Sequence, residues 1–182
     1  MGGEPTSPTA RHNDPSDRDT AVKPVRNAAL RCLARREYAT QELRQKLIRK
    51  YSPDLVADVL GELIEQALLS DQRYAEMLVC SRINRGYGPR YIASELKQKG
   101  ISAELIDEHL DISAEVWLEQ AQQLVAKRLN GRARENEPEM AQASEHKQQE
   151  QARQRETAAR ERVARLLSRR GFPSDVIYKA MA

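Results

Sequence analysis

The chain has 182 residues, of which 40% are hydrophobic, 31% charged and only 4% aromatic; 30 Lys and Arg stand against 27 Asp and Glu, a net charge of +3. So few aromatic residues argue against one large core and for several small helical ones, and the near balance of charge does not by itself announce a nucleic-acid binder, because mixed charges along helices are usually solvated faces. Cys32 and Cys80 are too few and too far apart for a metal cluster or a disulfide framework. Both lie in apolar stretches and are expected to be small buried side chains. No apolar run approaches the roughly 20 residues a membrane span needs. The N-terminus lacks a signal peptide's apolar centre, so a cytoplasmic chain that touches no membrane is expected.

Residues 1–22 are rich in Pro, Ser, Thr, Asp and Gly with no apolar period, and read as a disordered tail that buries too little to offset its ordering entropy. A first helix is expected over 24–36, with Val25, Ala29, Cys32 and Leu33 inward. Thr40 can cap a second helix with the stripe Leu43, Leu47 and Ile48, and Glu42 suits its positive end. Ser52-Pro53-Asp54 reads as cap, first-turn proline and acidic first turn of a third. Its inward residues would be Leu55, Val59, Leu60, Leu63 and Ile64. Ser70-Asp71 opens a fourth helix carrying Tyr74, Leu78 and Ile83 and ending at Gly86.

Residues 82–110 then hold two short helices with their start and stop signals. Pro89 suits a first helical position, Ile92 and Leu96 recur at helical spacing, and Gly100 sits where a left-handed residue would end the helix. Ser102 can cap the next, whose stripe is Leu105, Ile106 and Leu110. The same helix, tight turn, helix unit returns at a constant shift of 71 residues: Ile92 meets Val163, Leu96 meets Leu167, Gly100 meets Gly171, Ile101 meets Phe172 and Ile106 meets Ile177. A weaker copy upstream sets Leu43 and Leu47 against Ile92 and Leu96, with Tyr51 near the glycine position. A seventh helix from Ser113 carries Trp117, Leu118, Ala121, Leu124 and Val125. Residues 131–138 break its pattern, and 139–157 have helical composition but no apolar face. Such repeats argue for stacked helical modules. The expected division is a tail at 1–22 and three-helix repeats at 23–69, 70–112 and 113–182, the last with a polar insertion at about 131–157.

No catalytic constellation emerges. His12, His109 and His146 are isolated, Gly86-Tyr87-Gly88 has Tyr91 where a dinucleotide fingerprint needs its third glycine, and no phosphate-binding loop is present. The expectation is a protein that is not an enzyme and uses no metal or cofactor. What remains is a set of basic residues at related places in the repeats. Arg35, Arg36, Arg44 and Lys46 fall in the first, Arg82, Arg85, Arg90, Lys97 and Lys99 in the second, and Arg169 and Arg170 in the third. Singly, each is explained by the helix dipole. As a set they could follow a phosphate backbone or an acidic partner surface.

Three segments resemble one family in the same order. They are Leu33-Ala34-Arg35-Arg36-Glu37-Tyr38 with Glu42-Leu43-Arg44-Gln45-Lys46-Leu47, then Arg85-Gly86-Tyr87-Gly88-Pro89 with Glu95-Leu96-Lys97-Gln98-Lys99-Gly100-Ile101, and Leu167-Ser168-Arg169-Arg170-Gly171-Phe172. Over residues 28–181 the chain is similar to the RecX family of regulatory proteins. The resemblance implies an all-α fold, an elongated array of tandem three-helix, helix-turn-helix-like repeats. It implies a protein that lies along the groove of the RecA filament on single-stranded DNA, damps its ATPase and strand exchange, and limits recombination and the SOS response. The insertion is longer than the family pattern and the tail has no clear counterpart. A monomer whose partners are the RecA filament and single-stranded or duplex DNA is expected. The rival is a free-standing helix-turn-helix regulator binding a specific duplex as a dimer. The tandem arrangement and the lack of a dimerisation stripe count against it.

Overall fold

A computed structural model describes residues 15–133 and 145–182, and among them every regular element is a helix. In order they are α1 (Pro15–Leu33), α2 (Thr40–Leu47), α3 (Pro53–Glu65), α4 (Asp71–Asn84), α5 (Pro89–Gln98), α6 (Ala103–Leu110), α7 (Ala114–Ala133), α8 (Glu145–Arg169) and α9 (Ser174–Met181). They pack as the triples α1–α3, α4–α6 and α7–α9, and within each triple every helix touches the other two. The chain divides into two compact units, residues 1–70 and 71–182.

The first unit is built on stripes three and four residues apart. Val25 and Ala29 of α1, Leu43 and Leu47 of α2, and Val56, Val59, Leu60 and Leu63 of α3 close one core, with Tyr38 and Leu69 sealing its ends. Pro53 starts α3 without an N–H to leave unsatisfied. Full burial of each such aliphatic side chain contributes about 1.5–3 kcal/mol.

The second unit repeats the scheme twice. Tyr74, Ala75, Leu78, Val79, Ile92, Leu96, Ile101 and Ile106 fill the space among α4–α6, and Trp117, Ala121, Val163, Leu167, Phe172 and Val176 that among α7–α9. Several residues related by the shift of 71 share their environments, although in α9 Val176 rather than Ile177 is the buried one. Ile92 and Val163 are buried, as are Leu96 and Leu167, and Gly100 and Gly171 both have φ of 81°. That angle lies in the left-handed region that a Cβ disfavours, so glycine lets the chain reverse between α5 and α6 and between α8 and α9. Ser102 caps α6 by accepting from the Leu105 N–H at 3.3 Å.

Several expectations need correction. Helix α1 begins at Pro15 rather than residue 24, so 15–22 are its first turns and Pro24 lies inside it. Pro15-Ser16-Asp17 carries the same first-turn signal that Pro24 offered later, and Pro24 is exposed, where a missing N–H is tolerated. Residues 1–14 of the expected tail lie outside the described residues, as do 134–144 of the insertion. The rest of that insertion is helical, since α7 continues to Ala133 and α8 starts at Glu145. Residues 149–157 of α8 are exposed throughout, as their lack of an apolar face requires. The N-cap of α2 is Ala39, with no side-chain bond, and Thr40 is already helical. Ser52 holds the N-cap of α3 but makes no side-chain cap bond. Ile48 and Ile64 face outward, because each falls one step past the buried stripe as its helix ends, and Val56 takes the inward place. Cys80 is exposed and Cys32 only half-buried. Each lies at the edge of its helix's apolar stripe rather than on it.

Candidate interaction surface

Within each unit, some of the basic residues singled out from the sequence are held by neighbouring groups. In the first unit, Tyr38 is 6% exposed and gathers two cations. The Arg36 guanidinium lies 3.7 Å from its ring centroid while its two terminal nitrogens donate to Glu42 Oε1 and Oε2, both at 3.1 Å. Lys46 Nζ donates to the Tyr38 hydroxyl at 3.1 Å. That hydrogen bond, reinforced by Cys32, raises the Lys46 pKa above its ordinary value. Tyr38 thus holds the loop before α2 against the end of that helix.

In the second unit, Arg82 of α4 and Glu95 of α5 form a two-pronged pair, Nε to Oε2 at 2.7 Å and Nη2 to Oε1 at 2.6 Å. Their side chains are 19% and 18% exposed. The hydrogen bond to Glu95 raises the Arg82 pKa further, against the opposing effect of burial. The fork fits carboxylate geometry, so the pair ties α4 to α5 in a fixed orientation.

Residues 85–90 meet the turn between α8 and α9. The Gly88 N–H donates to the Arg170 carbonyl at 2.7 Å and the Arg90 N–H to the Gly171 carbonyl at 3.1 Å. In return Arg170 Nη1 donates to the carbonyls of Arg85 and Gly86 at 3.0 and 3.1 Å. Its guanidinium also lies 5.5 Å from the Tyr87 ring, which stacks on Tyr91 with centroids 4.3 Å apart. Arg170 therefore satisfies carbonyls left open where α4 ends. Gly88 has an ordinary extended backbone, so its role is clearance: a Cβ there would lie 2.6 Å from the Phe172 nitrogen.

A family model described as RecX, first three-helix domain, matches residues 26–63, and one described as RecX, second three-helix domain, matches residues 70–110. A protein named regulatory protein RecX from Halorhodospira halophila is 39% identical over 92% of this chain and 92% of its own. The chain belongs to the RecX family. Another regulatory protein RecX, from Ectopseudomonas mendocina, is 40% identical over 65% of this chain and 79% of its own. The RecX fold is shared as well: the crystal structure of RecX from Lactobacillus salivarius has a TM-score of 0.69 at 22% identity, covering 90% of this chain and 96% of that one. A RecX regulatory role follows from that membership.

For a RecX chain, the eleven basic positions named above divide by what they touch. Arg36, Lys46, Arg82 and Arg170 are engaged by Tyr38, Glu42, Glu95 or backbone carbonyls. Lys99 is half-buried and has a partner of its own. Arg35, Arg44, Arg85, Arg90, Lys97 and Arg169 have exposed side chains. Sequence reasoning missed Tyr38, Glu95 and Tyr87 as the groups that fix their neighbours. It also missed Arg162, which with Arg165, Ser168 and Arg169 lines a shallow basic hollow on α8. The spacing of 162, 165 and 169 along one helix face was the signal available. Among the described residues no cluster could hold a metal ion, and no helix is long and apolar enough to cross a membrane.

Proposed function

We propose that this protein binds the RecA filament on single-stranded DNA and restrains its ATPase, strand exchange and recombination, thereby affecting DNA repair and the SOS response. The observation that carries the reading is the succession of closed three-helix modules, each leaving cations exposed: Arg35 and Arg44, then Arg85, Arg90 and Lys97, then Arg169. A filament presents the same surface at each protomer, so successive modules can engage successive protomers. Linked weak contacts then gain avidity through effective concentration. A protein that bridges neighbours resists the protomer motions that accompany nucleotide turnover, and so inhibits as a monomer with no chemistry or cofactor of its own.

Arg36, Lys46, Arg82 and Arg170 act in this scheme by holding the modules in shape, and the exposed six make the contacts. The test is co-sedimentation with preformed RecA filaments. Arg90→Glu combined with Lys97→Glu should weaken binding while the far-ultraviolet circular dichroism stays unchanged. Undiminished binding by this variant would rule out that face.

A further inference from the structure

The ends of α1 and α2 frame a pocket of about 350 Å³ whose lining contains no acidic residue. Two cations come from each side: Arg31 and Arg35 where α1 ends, Lys46 and Lys50 where α2 ends. A helix C-terminus carries only about half an elementary negative charge, so two converging ends do not balance four cations. Two other arginines of this unit have carboxylate partners, Arg26 with Glu62 and Arg36 with Glu42. The side chains of Arg31, Arg35 and Lys50 have no ion pair or hydrogen bond with another described residue. Like charges gathered in one place repel, and a bound anion relieves that repulsion.

The floor is of a different character. Leu47, half-buried Tyr51 and half-buried Cys32 make it largely apolar, with an aromatic ring in the lining. Lys46 is fixed at the wall by its 3.1 Å bond to the Tyr38 hydroxyl, so one cation is already oriented before any ligand arrives. Arginine forks suit phosphate oxygens, and an aromatic ring suits a flat base. The volume falls in the range of about 300–1,000 Å³ usual for small-ligand pockets and is too small for a peptide helix.

We propose that this pocket binds a single nucleotide unit, its phosphate among Arg31, Arg35, Lys46 and Lys50 and its base against Tyr51 and Leu47. The unit is either a free mononucleotide or one residue of a single strand. This site goes beyond the recombinase reading and stands without it, since it is tested with no recombinase present.

Cys32 in the lining supplies the readout. In the full chain carrying Cys80→Ser, Cys32 is the remaining thiol, and its alkylation by iodoacetamide is followed with thymidine monophosphate, oligothymidylate or polyglutamate added. Either nucleotide ligand should slow alkylation. Slowing by the monophosphate assigns a free-nucleotide site, and slowing by the oligonucleotide alone assigns a single-strand site. Adding Arg31→Gln and Lys50→Gln, both exposed positions, should weaken the protecting ligand by about tenfold through lost phosphate contacts. No slowing by either nucleotide ligand, slowing by polyglutamate alone, or protection that survives the two glutamines would overturn the proposal.

Discussion

Gly88 and Gly171 meet backbone to backbone: a Cβ on Gly88 would lie 2.7 Å from the carbonyl carbon of Gly171, and one on Gly171 would collide with the backbone of Tyr91. The two turns of the second unit are thus joined by main-chain hydrogen bonds at a separation that only glycine permits. Gly88→Ala has no dihedral penalty, so its cost isolates overpacking and should be about 1–3 kcal/mol. Gly61 is the control. It lies within α3 with nothing within 4 Å of a Cβ. Gly61→Ala should therefore stabilise by about 0.5–1 kcal/mol, through better helix propensity. Urea unfolding of both variants reads the contrast in sign.

The Arg82–Glu95 pair is worth more than its surface counterparts. Its fork is short and mostly shielded, whereas Arg165–Glu161 is 3.5 Å long with side chains 69% and 65% exposed. A double-mutant cycle on Arg82→Gln and Glu95→Gln should return a coupling of about 1–2 kcal/mol. The same cycle on Arg165 and Glu161 should return about 0–0.5 kcal/mol.

Arg170 serves the fold. Arg170→Gln removes a charged donor from the carbonyls of Arg85 and Gly86 and should cost about 1–3 kcal/mol. It should also speed proteolytic cleavage near residue 85, because the turn loses the contacts that order it. Arg169→Gln, one residue earlier and exposed, should do neither.

The pH dependence has a local source at two helix starts. Glu104 in α6 and Glu115 in α7 are each held below their ordinary pKa, first by their own backbone N–H and then by the hydroxyls of Ser102 and Ser113. A carboxylate lowered in the folded state stabilises above its unfolded pKa, and that contribution is lost as the pH falls through the folded value. Urea midpoints of the native chain should therefore fall on acidification through the carboxylate range. Glu104→Gln with Glu115→Gln should flatten that fall.

The repeat was legible because it rests on periodicity. Leu96 and Leu167, Ile92 and Val163, and Gly100 and Gly171 occupy equivalent sites, and each was readable from spacing and residue type alone. Pro24 misled because a proline signals a helix start only when no earlier one competes, and Pro15 does. The fate of the cations was not legible for a different reason. Glu95 lies 13 residues from Arg82, and Gly86 lies 84 from Arg170. No helical period links such distances, so a residue that braces the fold and one that faces solvent look alike in sequence. Arg169 and Arg170 are neighbours in the chain with opposite fates.

The most direct measurement is the single-strand-dependent ATPase of a purified RecA recombinase titrated with this protein, beside its binding to bare DNA. Inhibition at substoichiometric amounts, diminished by Arg90→Glu with Lys97→Glu and accompanied by weak binding to bare DNA, is the expected result. An unchanged ATPase together with tight, salt-sensitive binding to a specific duplex would contradict the account.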